Sequence, residues 1–249
     1  MAGKSNNKDI VVKIAHLKKS FDDLYVLQNI NLTLLRGENL AILGKSGSGK
    51  SVLIKCMVKL IQPDEGNISI LGKDIVNLDI DELNNIRIKV GFLFQGGALY
   101  DSMTVRENLL FPVKRKMRKL SLEEENSMVE KALESVGLLD AIDKMPDELS
   151  GGMKKRIGLA RTLILNPEII LYDEPTTGLD PITSKEISEL INKIKNKYQT
   201  SSLIITHDIK CVELTANRIL VLHGGKFIAE GTYDELKKSD NELVQEFFQ

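Results

Sequence analysis

Between the apolar run Leu40-Ala41-Ile42-Leu43 and the periodic stretch Ser51 to Ile61 stands the octet Gly44-Lys45-Ser46-Gly47-Ser48-Gly49-Lys50-Ser51. The order reads strand, loop, helix, and the octet satisfies G-x-x-x-x-G-K-[ST]. Its glycines let backbone N–H groups approach phosphates, and the following helix N-terminus adds the positive end of its dipole. Lys50 is placed to reach β- and γ-phosphates, and Ser51 to coordinate Mg2+. Such a unit commits the chain to an α/β fold, whose ligand contacts gather at the carboxyl ends of the strands.

Three further apolar strands end in polar residues that suit this chemistry. Val90-Gly91-Phe92-Leu93-Phe94 leads to Gln95, which either contacts ligand or solvates a loop. Ile169-Ile170-Leu171-Tyr172 delivers Asp173-Glu174-Pro175. Paired carboxylates beside a phosphate loop divide two tasks: Asp173 holds the Mg2+ shell, and Glu174 orients or deprotonates an attacking water. Ser202-Leu203-Ile204-Ile205-Thr206 ends in His207-Asp208, where the imidazole can meet a γ-phosphate or its developing charge. Leu149-Ser150-Gly151-Gly152-Met153 opens a helix. Ser150, Gly151 and Gly152 there form either a second anion site or a plain helix cap. Phe21 either stacks on a purine or fills the core. His16 and His223 are assigned no role.

The 249 residues suit one α/β domain carrying an inserted subdomain. Strand-like alternation over Val11 to Leu17 and Ile30 to Leu34, with a turn-rich Phe21 to Leu27 between, predicts an antiparallel edge before the loop. From Gly96 to about Leu165 the pattern turns helical. Ser121-Leu122-Glu123-Glu124 is a capping box, and an apolar face of Val129, Ala132, Leu133 and Val136 stops at Gly137. The dense apolar segment Leu99 to Phe111 either packs on this insert or is offered to a partner. The tail reads as two short helices packing Leu236, Leu243, Val244, Phe247 and Phe248. Net charge is -1, so no global basic field draws the chain to nucleic acid or lipid. The one basic run, Lys114 to Lys119, reads as a solvated loop. No apolar run approaches the roughly 20 residues of a membrane span, and the polar start shows no leader. Cys56 and Cys211 read as reduced core thiols of a cytosolic protein.

Over essentially its whole length the order of motifs resembles the ATP-binding subunit of ABC transporters. Gly44 to Ser51 matches the Walker A loop, Gln95 the Q-loop and Leu149 to Met153 the signature. Ile169 to Glu174 matches Walker B, Thr177 to Asp180 the D-loop, and His207 the switch histidine. The resemblance implies a P-loop NTPase core over residues 1–95 and 165–249, with an N-terminal antiparallel β subdomain and a helical subdomain over 96–164. It implies ATP and Mg2+ as cofactors, with Ser51, Gln95 and Asp173 toward the metal. Glu174 and His207 become catalytic residues, and Phe21 the aromatic that stacks on adenine. Ser150, Gly151, Gly152 and Asp180 would act on ATP held by a second copy of the chain, in a head-to-tail dimer.

Met153 departs from the family's usual Gln and cannot make that side chain's hydrogen bonds. Leu-Ser-Gly-Gly-Met, Phe94 to Val105 and Leu179 to Thr183 together resemble the ATPases of MCE-type phospholipid transporters. That branch implies a permease docking near Leu99 to Phe111, an MCE-domain lipid-binding protein in the complex, and a peripheral place on the cytoplasmic face of the inner membrane. A nutrient importer and a soluble ATPase of the iron-sulfur cluster assembly type are the alternatives.

Overall fold

The computed structural model describes residues 10–116 and 120–248. In chain order its strands and helices are β1 (Ile10–Phe21), β2 (Leu24–Leu35), β3 (Asn39–Leu43), α1 (Lys50–Met57), β4 (Glu65–Ile70), β5 (Lys73–Asp74), α2 (Ile80–Lys89) and β6 (Val90–Leu93). There follow α3 (Val105–Lys116), α4 (Leu122–Val136), α5 (Gly151–Leu163), β7 (Ile169–Asp173), α6 (Pro181–Tyr198) and β8 (Ser201–Thr206). The chain closes with α7 (Ile209–Thr215), β9 (Arg218–His223), β10 (Lys226–Gly231), α8 (Tyr233–Lys237) and α9 (Glu242–Gln245).

A four-stranded antiparallel sheet, β2-β1-β4-β5, packs beside a six-stranded sheet ordered β10-β9-β3-β8-β7-β6. In the larger sheet all neighbours are parallel except β10 on β9. Strands covered on both faces read as unbroken apolar runs, and β3, β7 and β8 are buried at every position. Their period of two sorts the side chains. Leu40, Ile42, Leu171, Leu203 and Ile205 face a core shared with the small sheet, α1 and α2. Ile170, Tyr172 and Ile204 face the helices α3 to α6. The helical segment therefore shares its core with the back of the sheet.

Several expectations are corrected. The stretch from Phe21 to Leu27 is not a long turn: β1 runs to Phe21, only Asp22-Asp23 turn the chain, and β2 starts at Leu24. Lys114, Arg115 and Lys116 end α3, where cations suit the negative end of the helix dipole, so this part of the basic run is helix and not loop. Met117, Arg118 and Lys119 lie outside the described residues. In the segment Leu99 to Phe111, Val105, Leu109 and Leu110 are buried, which leaves Tyr100 and the half-buried Phe111 facing outward. In the tail Leu236 and Val244 are buried, whereas Leu243 is exposed. The capping box at Ser121 and Glu124 forms as read, with Gly137 in the left-handed cap position of α4.

Candidate functional site

The register of the large sheet brings the polar strand ends together. Leu43 pairs with Thr206, Asp173 with Ile205, and Leu93 with Tyr172. The phosphate loop after β3, Gln95 after β6, Asp173 and Glu174 at the end of β7, and His207 after β8 thus meet at one edge. A cleft of about 490 Å³ there is lined by Ser46, Gly47, Gly49, Lys50, Ser51 and Gln95 on one side. Val26, Val52, Glu174, Thr177 and His207 complete it.

Lys50 begins α1 and is buried. Its Nζ donates to the carbonyls of Gly44 (2.7 Å) and Lys45 (3.0 Å) and lies 3.3 Å from Glu174 Oε1. The turn that folds the loop back requires Gly47 at φ +78° and Gly49 at φ +102°, conformations closed to most side chains. Ser48 Oγ is buried without a hydrogen-bond partner. An orphaned hydroxyl inside a loop of inward N–H groups fits a phosphate guest. Lys45 points away and pairs with Glu246 of the tail.

Ser51 Oγ donates to Asp173 Oδ1 at 3.3 Å. Burial pushes the Asp173 carboxyl up, and the adjacent Glu174 adds to this, against the Ser51 hydrogen bond and the charges of Lys55 and Lys50. A hydroxyl and a carboxylate side by side form an oxygen donor set suited to Mg2+.

Glu174 is the most constrained residue of the site. Its Oε2 accepts from His207 Nδ1 (2.9 Å), from Thr177 Oγ1 (3.1 Å) and from the His207 backbone N–H (3.4 Å). A carboxylate only accepts, so His207 carries its proton on Nδ1. Burial pushes the Glu174 carboxyl up, but the His207 hydrogen bond, the charges of Lys50 and His207, and Thr177 outweigh it and hold it below the usual range. An ionised carboxylate with one oxygen tied down and the other facing Lys50 is equipped to orient and deprotonate water.

The remaining expected residues lie elsewhere. Phe21, 44% exposed at the end of β1, is not among the cleft-lining residues and carries Lys19 5.2 Å over its ring. Ser150 caps α5 by accepting from Met153 N at 3.3 Å, and Gly151 is exposed. Asp180 caps α6, accepting from Ile182 N and Thr183 N at 3.0 Å each. Among the described residues none of Ser150, Gly151, Gly152 and Asp180 lines the cleft of their own chain. Sequence reasoning missed Val26, Thr177 as a partner of Glu174, and the buried Lys155, whose Nζ donates to the Glu174 carbonyl at 3.0 Å. The signal for Lys155 was its place among Gly152, Leu159 and Leu163 on the buried stripe of α5.

A family model described as ABC transporter matches residues 27–177. Protein TRIGALACTOSYLDIACYLGLYCEROL 3, chloroplastic, of Arabidopsis thaliana is 37% identical over 262 residues, covering 98% of this chain and 75% of that protein. The probable ribonucleotide transport ATP-binding protein mkl of Mycobacterium tuberculosis is 38% identical over 238 residues, covering 96% of this chain and 66% of its own length. Among solved structures, the dimeric post-hydrolysis state of an ATP-binding cassette bound to ADP and Pi superposes with a TM-score of 0.81 at 34% identity. It spans 89% of this chain and 98% of its own.

Proposed function

Because the chain belongs to the ABC transporter family, we propose that its ATPase cleft powers lipid movement through a separate membrane permease, in a complex with an MCE-type lipid-binding protein. Members of this family hydrolyse ATP, dimerise and pair with permease subunits. The observation that carries the site assignment is the convergence of Lys50, Ser51, Glu174 and His207 in one cleft, with Asp173 accepting from Ser51 behind it.

Within that cleft, the phosphate loop and Lys50 bind the phosphates, and Phe21, outside its lining, is assigned to the base. Ser51, Asp173 and Gln95 are the residues to hold Mg2+. The charge such an ion would supply there would offset the negative charge of the phosphoryl group in transfer. Glu174 takes the proton of the attacking water, and His207 holds its Oε2 in place while facing the γ-phosphate. Ser150, Gly151, Gly152 and Asp180, absent from the cleft of their own chain, serve the cleft of a second copy. Removing the metal with EDTA would abolish turnover, read as phosphate release; turnover that persists without metal would contradict the assignment of Ser51 and Asp173.

Support for lipid as cargo comes from the signature and post-Gln95 segments, and from a relative named for a glycolipid. The permease is assigned to the groove of 450 Å³ that includes Phe94, Ala98, Tyr100, Phe111 and Pro112, where the Tyr100 and Phe111 rings meet tilted at 50° with centroids 4.7 Å apart. Docking there would hold the chain on the cytoplasmic face of the inner membrane; among the described residues no helix is long and apolar enough to cross a membrane. A second reading is uptake of a polar nutrient; the comparable likeness to the mycobacterial protein named for ribonucleotide transport supports a polar cargo. Affinity isolation of the tagged chain from gently solubilised membranes, followed by mass spectrometry, separates them. A polytopic permease with an MCE-domain protein is the expected result. A solute-binding protein with its permease, or soluble partners alone, would overturn the lipid reading.

A further inference from the structure

Lys155 is a buried cation that the mechanism above leaves without a task. It stands on α5, five residues beyond the N-cap Ser150, and is 5% exposed. Burying an ammonium is unfavourable unless acceptors and opposite charges surround it. Here its Nζ donates to the main-chain carbonyl of Glu174 at 3.0 Å, and the charges nearest it are those of Asp173 and Glu174.

The backbone it grips is unusual. Glu174 has φ +49°, in the left-handed region that a branched-chain or long side chain occupies only when its surroundings over-determine it. Three hydrogen bonds do so: Glu174 N–H donates to the Ile205 carbonyl (2.9 Å), and the Glu174 carbonyl accepts from Thr177 N–H (3.3 Å) and from Lys155. The first two come from the neighbouring strand and from the turn itself. Lys155 alone reaches in from the helix that begins with Ser150-Gly151-Gly152.

We propose that Lys155 is a positioning residue: from α5 it holds the Glu174 backbone in the conformation that aims the carboxylate at His207, so that movement of the signature helix moves the general base of the same chain. The inference rests on the reading of Glu174 as that base. The signature helix of a chain serves one ATP of the proposed dimer and Glu174 serves the other, so Lys155 joins the two sites through a single side chain.

The test compares steady-state turnover of the purified full chain with Lys155→Met, which keeps length and removes the donor, and Lys155→Arg, which keeps both donor and charge. Lys155→Met is expected to lower kcat about tenfold with KM for ATP within about twofold, a misplaced base and not a weakened binding site. Lys155→Arg should restore most of the loss. In a Glu174→Gln background Lys155→Met should add no further loss, because the group it positions is already disabled. If Lys155→Met does not fold, Lys155→Ala, with its smaller side chain in the same helix, carries the same expectations. Wild-type kcat in the folded variant, equal losses in kcat and affinity, or a full tenfold loss added to Glu174→Gln would each overturn the proposal. The two readings separate cleanly: wild-type turnover in Glu174→Gln alone would refute Glu174 as base, whereas an inactive Glu174→Gln beside a fully active Lys155→Met refutes Lys155 only.

Discussion

In the proposed function, Lys50 and Glu174 divide binding from chemistry at the level of single side chains. Oε2 of Glu174 is fixed by His207 and Thr177, and the general-base assistance proposed for it is worth about 10²- to 10⁴-fold. Glu174→Gln therefore retains ATP affinity and loses turnover on that scale; phosphate release near the wild-type rate would sink the assignment. Lys50→Ala removes the ammonium now held by the Gly44 and Lys45 carbonyls, and its loss falls on nucleotide affinity, measurable by calorimetry. Unchanged affinity would refute that role. The cysteines behave oppositely. Burial pushes the Cys56 and Cys211 thiols up to about 11, leaving roughly one thiolate in a thousand at pH 8. Native protein should resist alkylation at that pH and both thiols should react once unfolded; fast native labelling would contradict their burial.

Among the elements, α5 gathers the site's connections. Its Gly158 lies so close to the segment after Gln95 that an added Cβ would stand 3.0 Å from the Gly97 carbonyl and 3.0 Å from Leu93 Cδ1. Arg161 donates to the Ala98 carbonyl at 2.8 Å, and Thr162 to the Phe92 carbonyl at 3.3 Å. Gly158→Ala should therefore force the helix off this segment and destabilise the fold by about 1–3 kcal/mol in chemical denaturation. An unchanged midpoint would show that the contact can yield. Element by element, the sequence was most legible where an unbroken apolar run ended in a polar pair, because β3, β7 and β8 are central strands that announce themselves by burial on both faces. It was least legible in α2, where only Leu83 and Ile86 are buried, and in the β9–β10 hairpin, whose β10 is half-covered at an edge. Lys155 escaped notice because its partner is a backbone carbonyl 19 residues away, a contact that no side-chain pattern records.

At the scale of the whole molecule the proposed function needs two half-sites. One is the cleft behind Lys50. The other is the N-terminus of α5, where the exposed Ser150 and Gly151 lie outside that cleft. A single chain cannot use both on one nucleotide in this arrangement, whereas two chains related head to tail can use each twice. The solved cassette that superposes on this chain is itself a dimer bound to ADP and Pi. The direct measurement is the solution mass of Glu174→Gln, by sedimentation velocity with and without ATP. The account predicts a 27.8 kDa monomer that doubles its mass when ATP binds and is not split. A monomer at saturating ATP, or a dimer indifferent to nucleotide, would contradict it.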